Sequence, residues 1–221
     1  LPADPVGLQE WAHYRGQGYQ RVGCGFLLSL GGQRVVGVTT AHSVTLGEAT
    51  HRLETIALRV SGQTSFLGDF DTLWGQPGRP FTMEDMTVDY LLLKTEQPLD
   101  SSLVLEPDPR GGPQPGERLS LFHGLGDQRG DHGVLEGTVH SATDIAVWVL
   151  MDHWFNPSQM SGSPFVSQHT GKVVGMAVAA SPRRNGLLLA VHPIGSLIQR
   201  ARTAVHFPKI AEVSPGETRL P

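Results

Sequence analysis

Gln159-Met160-Ser161-Gly162-Ser163-Pro164-Phe165 is the stretch on which the reading of this chain turns. A serine hydroxyl is a poor nucleophile near neutral pH. It becomes a good one only when a base takes its proton and backbone N–H groups face the oxyanion that develops on attack. The small residues after Ser161 permit a sharp turn that exposes its side chain, and Ser163 competes with it by sequence. The base and the acid that orients it must come from elsewhere. Working toward the N-terminus, Asp89 opens Asp89-Tyr90-Leu91-Leu92-Leu93-Lys94, an acid where an apolar strand enters a core. Asp85, Asp71 and Asp69 stay open as alternative acids. Further back, His42 follows directly on a β-prone run, in Thr39-Thr40-Ala41-His42-Ser43.

The pattern around these candidates is that of a β protein. Val22 to Leu30 and Gln33 to Thr39 read as strands joined by a Gly31-Gly32 hairpin turn. Ile56 to Val60, Val88 to Lys94, Arg118 to Phe122, Gly133 to Val139, Ile145 to Leu150, Val173 to Ala179 and Leu187 to Val191 read as further strands. The stretch 106–117 holds so many prolines and glycines that it reads as a linker, not a strand or helix. Strands on both sides of it suggest two β-barrels in tandem, 1–105 and 118–206. Ile194, Leu197, Ile198, Ala201 and Val205 follow Pro193 at helical spacing, which predicts a C-terminal helix. Residues 1–20 read as a leader packed across the body, and 207–221 as a loose tail.

Composition supports this. The chain has 221 residues, ordinary for an all-β double barrel, and 39% apolar residues, enough to fill a core. Gly 27 and Pro 16 suit short strands with many turns. A net charge of -4 without like-charge blocks argues against nucleic acid or an anionic membrane as partner. No apolar run is long enough to span a bilayer. The chain starts at Leu1 and shows no signal-peptide pattern, so it is expected to be a processed or trimmed product. One cysteine, Cys24, allows no internal disulfide and leaves the compartment open between a reduced cytosol and secretion. Cys24 itself reads as a buried small hydrophobe. His123, Asp127, Asp131 and His132 match no tetrahedral metal spacing and read as a solvated loop.

Three motifs in order then carry a resemblance. Gly23-Cys24-Gly25-Phe26-Leu27-Leu28 with Thr40-Ala41-His42, then Val88-Asp89-Tyr90-Leu91, then Met160-Ser161-Gly162-Ser163-Pro164 followed by Lys172-Val173-Val174-Gly175, together resemble trypsin-like (chymotrypsin-fold) serine peptidases. They are closest to the disulfide-free bacterial type, HtrA-like and glutamyl-endopeptidase-like. The separations are 47 residues (from 42 to 89) and 72 (from 89 to 161), and the order His, Asp, Ser is that of chymotrypsin. The resemblance implies an all-β fold of two six-stranded antiparallel barrels with a C-terminal helix. It implies a serine endopeptidase acting on protein or peptide substrates, without a metal or other cofactor, and it leans toward an extracytoplasmic setting. His42 would be general base and then acid, Asp89 its orienting partner and Ser161 the nucleophile, with the N–H groups of Gln159 and Ser161 as the oxyanion hole.

The departures from the family are as informative. Gln159 stands where the family has glycine, and Met160 stands where digestive enzymes keep the Asp that binds a freed N-terminus. Activation by that ion pair is therefore not expected. The resemblance places the substrate pocket at Phe155 and Asn156 and along Ala177 to Ser181, chiefly Val178, Ala179 and Ala180. Phe155 cannot pair with Arg or Lys as the Asp of trypsin-like enzymes does, and Ala177 and Val178 cannot replace the His of glutamate-specific relatives, so a broad preference for small or medium apolar residues is expected. Arg183 and Arg184, read as a turn tip, would supply an acidic preference if they reached the pocket. The rival reading is a peptidase fold used as a binding or scaffold module, for which Gln159 speaks. An esterase on another fold lacks its Gly-x-Ser-x-Gly elbow here.

Overall fold

The computed structural model describes residues 1–45, 51–96, 98–126 and 133–214. Its first half is a curled seven-stranded sheet. The strands are β1 (Leu8–Tyr14), β2 (Tyr19–Gly31), β3 (Arg34–Thr39), β4 (Leu53–Arg59), β5 (Gly68–Phe70), β6 (Leu91–Lys94) and β7 (Val104–Leu105). They run in the order β5-β4-β1-β2-β3-β6, with β7 parallel to β2. The second half is a closed antiparallel barrel, β10-β13-β12-β11-β8-β9. Its strands are β8 (Arg118–Phe122), β9 (Val134–Ala142), β10 (Val147–Met151), β11 (Pro164–Ser167), β12 (Val173–Arg183) and β13 (Gly186–Pro193). The described residues also form the helices α1 (His42–Thr45), α2 (Ile194–Thr203) and α3 (Ile210–Val213).

Apolar residues sort into three cores. Leu8, Leu27, Ile56, Leu58 and Leu93 fill the inside of the first sheet. Leu119, Leu121, Val149, Phe165 and Leu189 fill the second barrel. A third core lies between the halves and draws Phe26, Val38, Tyr90 and Leu92 from one side and Val166, Met176, Val178 and Ile194 from the other. Removing this shared apolar surface from water holds the halves together at about 25 cal/mol per Å².

The first sheet differs from a closed six-stranded barrel. No ladder joins β5 to β6. The chain just after β5 bridges the seam instead: Leu73 pairs with Leu93, Trp74 N–H donates to Leu92 O at 2.7 Å, and Lys94 N–H donates to Thr72 O at 2.9 Å. The chain after α2 then stitches the outside of that seam. Leu73 N–H donates to Pro208 O and Gly75 N–H to His206 O, both at 2.9 Å, and Ile210 N–H donates to Asp71 O at 2.8 Å. Residues 207–214 are therefore not a loose tail, and Ile210 is buried in the first core. The expectation for 215–221 lies outside the described residues.

Residues 1–20 are not a leader either. β1 is an interior strand between β2 and β4, and its register carries Gln9 and Glu10 into the interior. A strand that buries polar residues loses the apolar alternation by which strands are recognised. β5, β7 and β11 are short strands that the pattern also missed. Asp89 precedes its strand, which starts at Leu91. Residues 106–117 carry no strand. They are anchored by Asp108, whose carboxylate receives Arg110 and Thr170. Burial alone would raise this carboxyl, but those donors outweigh it and hold it down at about 2.

Candidate active site

β3 delivers His42. The strand ends at Thr39, and the chain turns into α1 with His42 at its first position. Asp89 lies fully buried just before β6. Its Oδ1 accepts from the N–H of Ala41 at 2.6 Å and of His42 at 3.1 Å, and its Oδ2 from the N–H of Phe81 at 3.1 Å and from His42 Nδ1 at 2.6 Å. Four donors satisfy a carboxylate that burial would otherwise make expensive. With Nδ1–H given to Asp89, Nε2 presents its lone pair to Ser161 Oγ, 2.9 Å away. Ser161 Oγ also lies 3.1 Å from Val178 O. Its single proton has two acceptors, one inert and one basic. The three residues singled out by sequence are thus brought into one hydrogen-bonded chain.

The alternatives lie elsewhere. Asp85 is engaged with Thr87, Asp71 with Thr72 and Lys209, and Asp69 receives the Tyr19 hydroxyl. Ser163 is fully buried.

The turn at Ser161 is made by close approach. Gly162 has φ 96°, and a Cβ there would sit 1.8 Å from Cys24 O. Only glycine lets the turn lie against β2, where Cys24 N–H donates to Ser161 O at 2.9 Å. Within the turn the N–H groups of Met160, Gly162 and Ser163 donate to Pro157 O, Ala177 O and Met160 O. Those of Gln159 and Ser161 have no protein acceptor among the described residues. Gln159 has φ 64° and is the one non-glycine residue with positive φ among the described residues. A left-handed residue with a side chain costs about 1–3 kcal/mol. Met160 is buried in the apolar core of the second barrel, and its thioether carries no charge with which to form an ion pair.

Several neighbours escaped the sequence reading. The Phe81 ring meets His42 edge-on at 5.5 Å. His192 is fully buried, and its Nδ1 lies 3.1 Å from Asp89 O. Burial pushes this imidazole down to about 4, so it is neutral and donates Nδ1–H to that carbonyl. Tyr90 stacks edge-on against His192, with the Arg200 guanidinium 4.7 Å above the Tyr90 ring. Glu10 is fully buried, and neither carboxyl oxygen has a hydrogen-bond partner among the described residues. Burial, with a smaller push from Asp89, raises it to about 8. Thr39 moderates that rise, although its hydroxyl proton is given to Cys24 O at 2.8 Å. No local signal marks these groups, because each matters through a strand pairing that joins distant segments.

The expected pocket residues divide. Phe155 is buried among Met160, Ala177 and Leu189 in the second core. Val178 is buried, Ala179 half-buried, and Asn156 and Ala180 are exposed. Asn156 Oδ1 accepts from Ser158 N–H. Arg183 and Arg184 are exposed at the tip of the β12–β13 hairpin, about 17 Å along the strand from Val178. Cys24 is fully buried, its thiol pushed up chiefly by burial. His123 is buried and its Nδ1 accepts from Leu125 N–H, so it is no part of a solvated loop. Asp127, Asp131 and His132 lie outside the described residues.

No protein-family model and no curated protein sequence matches this chain. Solved structures do. Kallikrein-related peptidase 10 superposes with a TM-score of 0.60 at 17% identity, covering 90% of this chain and 94% of that one. A second structure of it, in complex with Zn2+, gives 0.57 at 18% identity over 90% and 94%. Neuropsin, a serine protease expressed in the limbic system of mouse brain, gives 0.56 at 14% identity over 88% and 92%. At these identities the likeness is one of architecture, and the chain has the chymotrypsin-like fold of the serine proteases.

Proposed function

We propose that this chain is a serine endopeptidase of the disulfide-free type, with His42, Asp89 and Ser161 as its catalytic triad. The observation that carries the reading is the continuous relay Asp89–His42–Ser161, at 2.6 and 2.9 Å, beside two N–H groups without acceptors. His42 takes the Ser161 proton as Oγ attacks the peptide carbonyl. The N–H groups of Gln159 and Ser161 receive the oxyanion, and His42 then gives the proton to the leaving amine. Asp89 stabilises the imidazolium formed on the way. Water repeats the sequence to free the acyl group. The curled sheet of 1–105 and the barrel of 118–206, with 106–117 between them, would give the cleft its walls.

The substrate pocket is lined by Phe155, Asn156, Val178, Ala179 and Ala180. The apolar character of Phe155, Val178 and Ala179 favours a small or medium apolar residue such as Ala, Val or Leu before the cut. Arg183 and Arg184 are too far along the hairpin to pair with an acidic side chain there. Cleavage-site profiling on a denatured protein mixture checks this: cuts after Lys or Arg mean the pocket is misassigned, and cuts after Glu or Asp mean the arginines reach it.

A non-catalytic scaffold is the second reading, favoured by Gln159 at a glycine's place. A fluorophosphonate probe separates the two. The wild-type protein should label and Ser161→Ala should not. Equal labelling of both removes Ser161 as nucleophile, and no labelling of folded wild type favours the scaffold.

A further inference from the structure

Gln159 is held from two directions, and neither hold belongs to its own loop. Its carbonyl accepts the Cys24 thiol proton at 3.3 Å, from inside the molecule. Its side-chain Oε1 accepts Arg21 Nε–H at 3.0 Å, from the rim. Both partners sit on β2. The path that brings Arg21 there is a β-bulge. Glu10 of β1 faces Gly23, but the next residue, Trp11, faces Arg21, so Val22 is the extra residue. Bulges of this kind re-aim side chains beside functional sites.

The conformation being held matters because φ at Gln159 sets the direction of its own N–H. At φ 64° that N–H has no protein acceptor and sits two residues from the equally free N–H of Ser161. An ordinary negative φ would swing the preceding peptide plane and turn the N–H away. Glycine adopts the positive value freely; a residue with a Cβ does so only when its surroundings enforce it. The positive φ at Gln159 therefore needs support from its surroundings.

We propose that Arg21 is a positioning residue for the reaction: by holding the Gln159 side chain, with Cys24 holding the carbonyl, it keeps the Gln159 N–H turned toward the oxyanion. Arg21 touches no reacting atom. This deepens the nucleophile assignment above and rests on it. The chain thus makes with a side-chain brace what a glycine would make by itself.

The test is a cycle of Arg21→Ala and Gln159→Gly, read by the second-order rate of fluorophosphonate labelling and by kcat and KM on a peptide ester. Deleting an oxyanion donor costs about 10²–10³-fold; loosening one should cost less, about tenfold in labelling rate and kcat for Arg21→Ala, with KM changed less than about twofold. Arg21→Lys, which keeps a donor, should lose less than Ala. In the Gln159→Gly background, Arg21→Ala should change the rate less than about twofold, because glycine needs no brace. Equal slowing in both backgrounds means Arg21 acts through its charge alone and overturns the proposal, as does no slowing in the wild-type background.

The same four proteins give thermal midpoints, which need no activity. Arg21→Ala should lower the midpoint in wild type and leave it unchanged with Gln159→Gly. Should folded wild type fail to label, the nucleophile assignment fails, and additive midpoints then refute the brace separately.

Discussion

The two halves of the molecule solve closure differently. The second barrel is built from one contiguous stretch, β8 to β13, closes on itself by hydrogen-bonded ladders, and fills its interior with apolar side chains. It contributes to the site a backbone conformation, the turn at Ser161. The first sheet leaves a seam that isolated bridges and the chain after α2 must cover. It buries Gln9, Glu10, Thr39, Thr40, Ser43 and Asp89 and contributes His42 and Asp89 of the proposed triad. The difference teaches that the acid–base side of the site stands on buried polar groups, with the Asp89 carboxylate satisfied by four donors, whereas the nucleophile side stands on steric fit.

Three substitutions sharpen or break that contrast. The largest effect is expected at Asp89. Asp89→Asn preserves the shape but favours the wrong imidazole tautomer at His42, and kcat should fall by about 10⁴-fold while the protein stays folded. Steady-state kinetics with Asp85→Asn as control checks it; a near-normal Asp89→Asn enzyme breaks the acid–base half of the argument. Next comes Gly162→Ala. A methyl group aimed at Cys24 O should lower stability by about 3 kcal/mol and slow probe labelling, because backbone must shift on one side or the other. An unchanged denaturation midpoint and labelling rate means the loop is not held by fit.

The smallest and most diagnostic effect is electrostatic. Between pH 4.5 and about 8 the folded chain keeps a proton on Glu10 that the unfolded chain has released. Stability present below 4.5 is therefore lost as pH rises through that window, by at most about 1.4 kcal/mol per pH unit. His192 runs the other way: held neutral down to about 4 against an ordinary 6.5, it contributes stability above 6.5 that is lost as pH falls toward 4. The two offset each other from 4.5 to 6.5, so the wild-type loss should emerge between 6.5 and 8. Glu10→Gln should flatten that interval in urea midpoints, and an unchanged fall in the variant places the titration elsewhere.

The sequence was most legible where local chemistry and tertiary role coincide. The Gly31-Gly32 turn, the apolar strands of the second barrel and the helix after Pro193 are decided by neighbours in the chain, and so was the trio His42, Asp89 and Ser161 as candidates. β1 was not legible, because Glu10 looks like a surface residue until β2 and β4 enclose it. β11 is four residues long and begins with Pro164, which reads as a turn. The chain beyond Val205 looked loose because its partners are Asp71, Leu73 and Gly75, more than 130 positions earlier. Gln159 was visible as a departure, but its contacts with Arg21 and Cys24 were not, since Arg21 is aimed by a bulge in β2 and Cys24 was read only as a core residue.

That late stitching has a consequence for the order in which the molecule can be made. Synthesis runs from the N-terminus, and many chains finish their first half while the second is still emerging. Here β8 to β13 all precede residues 206–210 in the chain, and the seam of the first sheet is covered only by those later residues. The half translated first is completed last, after an entropic wait set by contacts of long sequence separation. His42 and Asp89 belong to that half. In chain order, every strand of the second barrel thus precedes the residues that cover the seam of the sheet carrying His42 and Asp89.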